Sequence, residues 1–170
     1  MVWAIIVIVL LVSADQLLKL LVKINLSPAD SIPVIDNFFY IVNRHNTGAA
    51  WSFLAGKEWG IYALAGVSAV VSAIMLVIIW RSRNIRLKAC LTIICSGSLG
   101  NLIDRVRDRA VTDFLDFHFG SYIFPTFNLA DMLIVCGTIL LAILILFDQS
   151  ILAETTTHKK EKPNEPDPAH

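Results

Sequence analysis

Apolar residues in this chain gather into four long runs, with little alternation and few isolated apolar positions. Residues 2–22 are interrupted only by Ser13, Asp15, Gln16 and Lys19, and 59–80 carry no charge. Residues 87–106 are largely apolar until Asn101, Asp104 and Arg105, and in 127–147 the strongly polar positions are Asn128 and Asp131. Each run is close to the ~20 residues with which a helix crosses a ~30 Å hydrocarbon layer. The pattern predicts an all-α integral membrane protein, a four-transmembrane-helix bundle. Aromatic Trp59, Tyr62 and Trp80 suit the two membrane interfaces. Ala65, Ala69 and Ala73 form a small-residue stripe for close helix contact, and Gly97 and Gly100 are expected to serve the same purpose on the third run.

Basic residues set the orientation. Arg81, Arg83, Arg86 and Lys88 crowd the loop between the second and third runs, and Lys159, Lys160 and Lys162 follow the fourth. The longer segment 23–57 has only Lys23, Arg44 and Lys57. The positive-inside rule then puts both termini in the cytoplasm and the loops 23–58 and 107–126 outside, with Arg105, Arg107 and Arg109 running against the trend. Val12-Ser13-Ala14 has the form of a signal-peptide cleavage site. No basic segment precedes it and Leu17 to Val22 continue the apolar run, so the first run is read as a span. Residues 1–148 are expected to form one membrane domain, and the polar, proline-bearing 149–170 a disordered cytoplasmic tail.

Composition narrows the class further. At 56% hydrophobic and 16% charged residues the chain is too apolar for an ordinary soluble domain. Its zero net charge offers no field for nucleic acid. Cys90, Cys95 and Cys136 lie in apolar runs without paired spacing, which argues for packing and against zinc or disulfides. In the external segment 23–59, Phe38 to Val42 has strand composition, and Trp51 and Phe53 form an apolar element suited to cover a lipid-bearing substrate. Together these predict a small extracytoplasmic β/loop element.

Under the predicted topology the polar residues of the spans share one level. Asp15, Gln16 and Lys19 fall in the outer half of the first span, and Asn101, Asp104 and Arg105 at the outer end of the third. Asn128 and Asp131 open the fourth, with Asp113 and Asn46 in the external loops. Ionisable groups in a membrane face an interior or a cavity and mark function. A shared site near the outer leaflet is the economical arrangement. Asn128 and Asp131, at i, i+3 and facing the same way, are hard to explain structurally, but the other groups also have plainer readings. Asp15 and Lys19, spaced i, i+4, make a structural ion pair. Asn101, Asp104 and Arg105 make a helix-face network in which Arg105 pairs with a carboxylate or a lipid phosphate. Asp113 and Asp116 would face opposite ways in a strand, and pattern alone does not choose between them. His45 and His118 read as surface residues.

Asp15-Gln16-x-x-Lys19, Asn46-Thr47-Gly48-Ala49-Ala50, Gly100-Asn101-Leu102-Ile103-Asp104-Arg105, Asp113-Phe114 and Phe127-Asn128-Leu129-Ala130-Asp131 resemble, in order, the motifs of bacterial lipoprotein signal peptidase (signal peptidase II). Thr112 stands in a variable position of that pattern, and Trp51 where the family often has Phe. The resemblance implies an aspartyl endopeptidase of the bacterial inner membrane. Such an enzyme removes the signal peptide of prolipoproteins before a diacylglyceryl-modified cysteine. It implies a catalytic pair at Asp113 and Asp131, and supporting residues at Asp15, Lys19, Asn46, Asn101, Asp104, Arg105 and Asn128. It also implies membrane lipid and globomycin-type inhibitors as partners, and no metal or cofactor. A proton-coupled transporter is the main rival but would spread polar groups through the bilayer depth. A carboxylate-bound metal hydrolase would be sensitive to chelators, and an inert scaffold leaves the shared level without a cause.

Overall fold

A computed structural model describes residues 2–48 and 57–148. The expected apolar element at Trp51 and Phe53, Ala49-Ala50 of the second motif and the tail 149–170 lie outside the described residues. Four long helices form where the apolar runs fall: α1 (Val2–Asn25), α2 (Glu58–Arg81), α3 (Ile85–Asp108) and α4 (Leu129–Phe147). By length and composition α1, α2 and α4 can cross a membrane. Three of the four expected spans meet that standard; α3, at 24 residues, is long enough but less apolar than the other three. The cause is its position. It packs against α1, α2 and α4 and buries Thr92, Ser96, Ser98, Asn101 and Asp104. Polar groups removed from lipid by neighbouring helices lower the average apolarity without facing hydrocarbon.

Helix boundaries have local causes. Asn84 caps α3, its side chain accepting from the N–H of Arg86 and Leu87, and Arg109 ends the helix in the left-handed region at φ 54°. Asn128 caps α4 in a capping box with Asp131.

Close helix packing depends on glycine on α3 and α4. A Cβ on Gly97 would lie 2.3 Å from the Ala130 carbonyl oxygen, and one on Gly100 would lie 2.7 Å from Asp15 Oδ2. The alanine stripe of α2 does not play this part. Ala69 and Ala73 are exposed, and the buried face is Ile61, Ser72, Met75 and Ile79. Across that face Ser72 Oγ donates to Ser98 Oγ at 2.9 Å.

The segments between α1 and α2 and between α3 and α4 form a four-stranded antiparallel sheet in the order β1 (Ser31–Ile35), β2 (Phe39–Asn46), β3 (Val111–Phe119), β4 (Tyr122–Ile123). A bulge in β2 between Ile41 and Arg44 turns both Val42 and Asn43 inward. β3 also pairs with the approach to α4: Leu115 N–H donates to the Phe127 carbonyl at 2.9 Å and Phe127 N–H to that of Leu115 at 3.1 Å. The sheet thereby fixes the start of α4 beside Asp113.

Two apolar clusters bracket a polar layer. Ala4, Ile8, Met75, Ile79, Leu87, Leu91 and Cys95 form one, and Val22, Leu26 and Phe114 the other. Along α1 the fully buried Asp15 and Lys19 lie between them. The outer surfaces of α1, α2 and α4 expose large aliphatics such as Leu10, Val70 and Ile139, an apolar area that only lipid or a partner would cover.

Candidate active site

The polar layer is built around Lys19. Its Nζ lies 2.8 Å from Asp15 Oδ2 and 2.9 Å from Asp104 Oδ2, with all three side chains fully buried. Its remaining donor reaches Asn101 Oδ1 at 3.0 Å. Gln16 Nε2 donates to Asp104 Oδ1 at 2.8 Å and to the Gly100 carbonyl at 3.1 Å. Asp15 and Lys19 thus form the expected pair, extended by a second carboxylate from α3.

Asn101 carries the network toward Asp131, its Nδ2 donating to Asp131 Oδ1 at 2.7 Å. Asp131 Oδ2 accepts the Asn128 backbone N–H at 3.2 Å, and Asp131 N–H donates to Asn128 Oδ1 at 3.0 Å. Asp113 Oδ1 accepts from Asn128 Nδ2 at 2.7 Å, and its Oδ2 from Asn46 Nδ2 at 3.0 Å. Each of the two aspartates holds two N–H donors, and Asn128 touches both. Burial pushes Asp113 up from 3.8 to about 7, and the charge of Asp131 adds to the shift while the amides of Asn46 and Asn128 oppose it.

Asp113 and Asp131 face one cavity of about 1100 Å³. Arg105 lines it and donates to the Gly48 carbonyl at 3.5 Å. The other charged or titratable groups at its wall, among the described residues, are Arg44 and His45 from β2 and Cys136 from α4. Arg105 therefore points away from the Asp104 cluster, where Arg107 approaches instead, at 3.5 Å. Leu64 and Val67 of α2 and Met132 and Val135 of α4 give the cavity an apolar flank.

Strand register separates the two aspartates that pattern left undecided. Asp113 is directed to Asn46 and Asn128, whereas Asp116 pairs with His118 Nε2 at 2.9 Å. His118 is thus no free surface residue, and its ring packs 4.7 Å from that of Tyr40. Cys90 and Cys95 are buried as expected, but Cys136 is exposed and lines the cavity. Among the described residues no group of three or more His, Cys, Asp or Glu is placed to hold a metal ion.

A family model described as Signal peptidase (SPase) II matches residues 7–147. The chain belongs to the signal peptidase II family. Over 148 residues it is 40% identical to the lipoprotein signal peptidase of Bacillus pumilus (strain SAFR-032), covering 86% of this chain and 94% of that protein. It is 40% identical over 140 residues to that of Bacillus subtilis (strain 168), covering 82% and 90%. Two solved structures described as bacterial membrane enzymes share the fold. One has a TM-score of 0.78 at 29% identity, covering 96% of each chain. The other has a TM-score of 0.76 at 31% identity, covering 87% of this chain and 95% of that one. The signal peptidase II match spans all four helices and the sheet, so it includes every residue of the polar layer. Gln16 belongs to that layer too, as its level on the first span and its place in the first motif suggest.

Proposed function

We propose that this chain is an intramembrane aspartyl endopeptidase. It removes the signal peptide from diacylglyceryl-modified prolipoproteins before the lipidated cysteine, with Asp113 and Asp131 as the catalytic pair. The observation that carries the reading is that both carboxylates face one cavity and share Asn128 as a hydrogen-bond partner. Two neighbouring buried carboxylates do not both ionise readily, so near neutral pH the pair holds one proton. The ionised member takes a proton from water as it attacks the scissile carbonyl. The protonated member hydrogen-bonds that carbonyl and later protonates the leaving amine. Asn46, Asn101 and Asn128 hold the carboxylates in place, and Arg105 meets the substrate backbone at the cavity wall.

The membrane arrangement follows the same reading. All four helices cross the bilayer of the bacterial inner membrane with α3 shielded by the others. Both termini are cytoplasmic, residues 1–148 form the peptidase domain, and the site lies near the outer leaflet. The apolar flank between α2 and α4 lets the diacylglyceryl chains remain in lipid while the peptide enters sideways. A cyclic peptide of the globomycin type would compete for this cavity.

Purified protein in detergent, given a precursor with and without the diacylglyceryl group, tests the proposal. The expected result is cleavage before the modified cysteine only, unchanged by a chelator. Cleavage abolished by a chelator, or no cleavage of the lipidated precursor, contradicts it.

A further inference from the structure

The buried ion cluster of Asp15, Lys19 and Asp104 has a register that an ordinary interior salt bridge does not require. Asp15 Oδ1 accepts the backbone N–H of Ala130 at 2.9 Å. Asp104 Oδ2 accepts the backbone N–H of Thr112 at 3.3 Å. Ala130 and Thr112 are the residues immediately before Asp131 and Asp113. Lys19 lies between the two gripping carboxylates, and its third contact, Asn101, is also the side-chain donor to Asp131. We propose that Asp15, Lys19 and Asp104 are positioning residues: each carboxylate holds the chain one residue before a catalytic aspartate, and Lys19 sets the separation between the two holds.

Physical need supports this reading. Asp113 stands on β3 and Asp131 on α4, so no single element fixes their distance. Their like charges repel when both ionise, a load that the Leu115–Phe127 pairing and Asn128 would otherwise carry alone. Both ends of the device are buried. Ala130 is fully buried and pressed against Gly97, and Thr112 is fully buried at the start of β3. Stability alone is a weak reason for the cluster, because buried ion pairs seldom outperform apolar packing of the same volume.

The inference rests on the peptidase reading above, and its test separates the two. Asp15→Asn leaves the Lys19–Asp104 pair intact, and Asp104→Asn leaves Lys19–Asp15, so neither variant strands a buried cation. Lys23→Met serves as control, since Lys23 joins the same two helices through Asp108 away from the cavity. Turnover of a diacylglyceryl-modified precursor is measured for each full-length variant across pH, alongside a thermal melt. Both asparagine variants are expected to fold and to lose roughly 10–100-fold in kcat with KM unchanged, as a small misplacement of reacting groups does. Separating the carboxylates weakens their coupling, so the bell-shaped pH profile should narrow by about one pH unit. Arg44, His45, Arg105 and Cys136, the other titratable or charged groups at the cavity wall, are untouched, so a change in the profile reports the aspartate pair. Lys23→Met should match wild type. Wild-type kcat per folded molecule, or a bell of unchanged width with activity lost in step with folded protein, overturns the proposal. So does failure of both asparagine variants to fold, which would make the cluster a folding element only. If the wild-type chain does not cleave the precursor, the peptidase reading itself falls.

Discussion

Asn128 donates its side-chain amide to Asp113 Oδ1 at 2.7 Å while its Oδ1 accepts the Asp131 backbone N–H at 3.0 Å. One side chain thus caps α4 and joins the two carboxylates. These two duties are separable. Serine is as good an N-cap as asparagine but lacks the Nδ2 that reaches Asp113. Asn128→Ser should keep the cap and the fold, losing about 1–3 kcal/mol for the buried hydrogen bond to Asp113. Its turnover should fall roughly tenfold or more, as expected for loss of a hydrogen bond to a charged group. A melt and a single-turnover assay check this, and unchanged turnover would show that the link to Asp113 is idle.

Stability should depend on pH through Asp113. Its carboxyl is raised from 3.8 to about 7 by burial, with Asp131 adding to the effect. Between these values the folded chain holds a proton that the unfolded chain has lost, so unfolding free energy falls as pH rises through that interval and levels off above it. Asp113→Asn should flatten this decline. Melting temperatures at pH 5 and pH 8 for both proteins decide the matter, and equal slopes would contradict the shift.

Glycine at the α3–α4 contact is a steric requirement. A Cβ at Gly97 would sit 2.3 Å from the Ala130 carbonyl oxygen and 2.8 Å from Ile134 Cγ1, whereas one at Gly66 would meet nothing within 4 Å. Gly97→Ala should destabilise by about 1–3 kcal/mol, in the range of overpacked cores, and should lower turnover by moving α4. Gly66→Ala should be neutral or stabilising by up to about 1 kcal/mol. Equal melts for the two variants would remove the steric argument.

Much of this arrangement was legible in the sequence where it depends on local spacing. The apolar runs give the helices nearly to their ends, and Asp15 and Lys19 pair across one turn as i, i+4 acid-first residues should. What was missed depends on distant partners or on face. The α2 alanines look like a packing stripe, yet burial falls on Ser72, Met75 and Ile79 because α3 approaches from that side. The loop 107–126 holds a strand of its own, stabilised by β2 and by Phe127, and residue pattern without the family motifs does not distinguish Asp113 from Asp116. Asn128 and Asp131 at i, i+3 carry both the capping-box spacing and the contacts of the candidate site.

Orientation can be tested by labelling. In a Cys136→Ser background, which removes the exposed thiol, an impermeant thiol reagent added outside should reach a cysteine replacing the exposed Lys57. It should not reach one replacing the exposed Arg83. Labelling of the second alone would invert the topology.

The central claim is that Asp113 and Asp131 act as one catalytic unit, and turnover of a diacylglyceryl-modified precursor by folded asparagine variants tests it most directly. General acid–base groups contribute roughly 10²–10⁴-fold, so Asp113→Asn and Asp131→Asn should each lose at least that much. The double variant should be little worse than either single one, because groups acting as a unit are not additive. Asp116→Asn, which alters the pairing with His118, should keep measurable cleavage. Near wild-type turnover by either single variant, with its fold confirmed by a melt, would contradict the account.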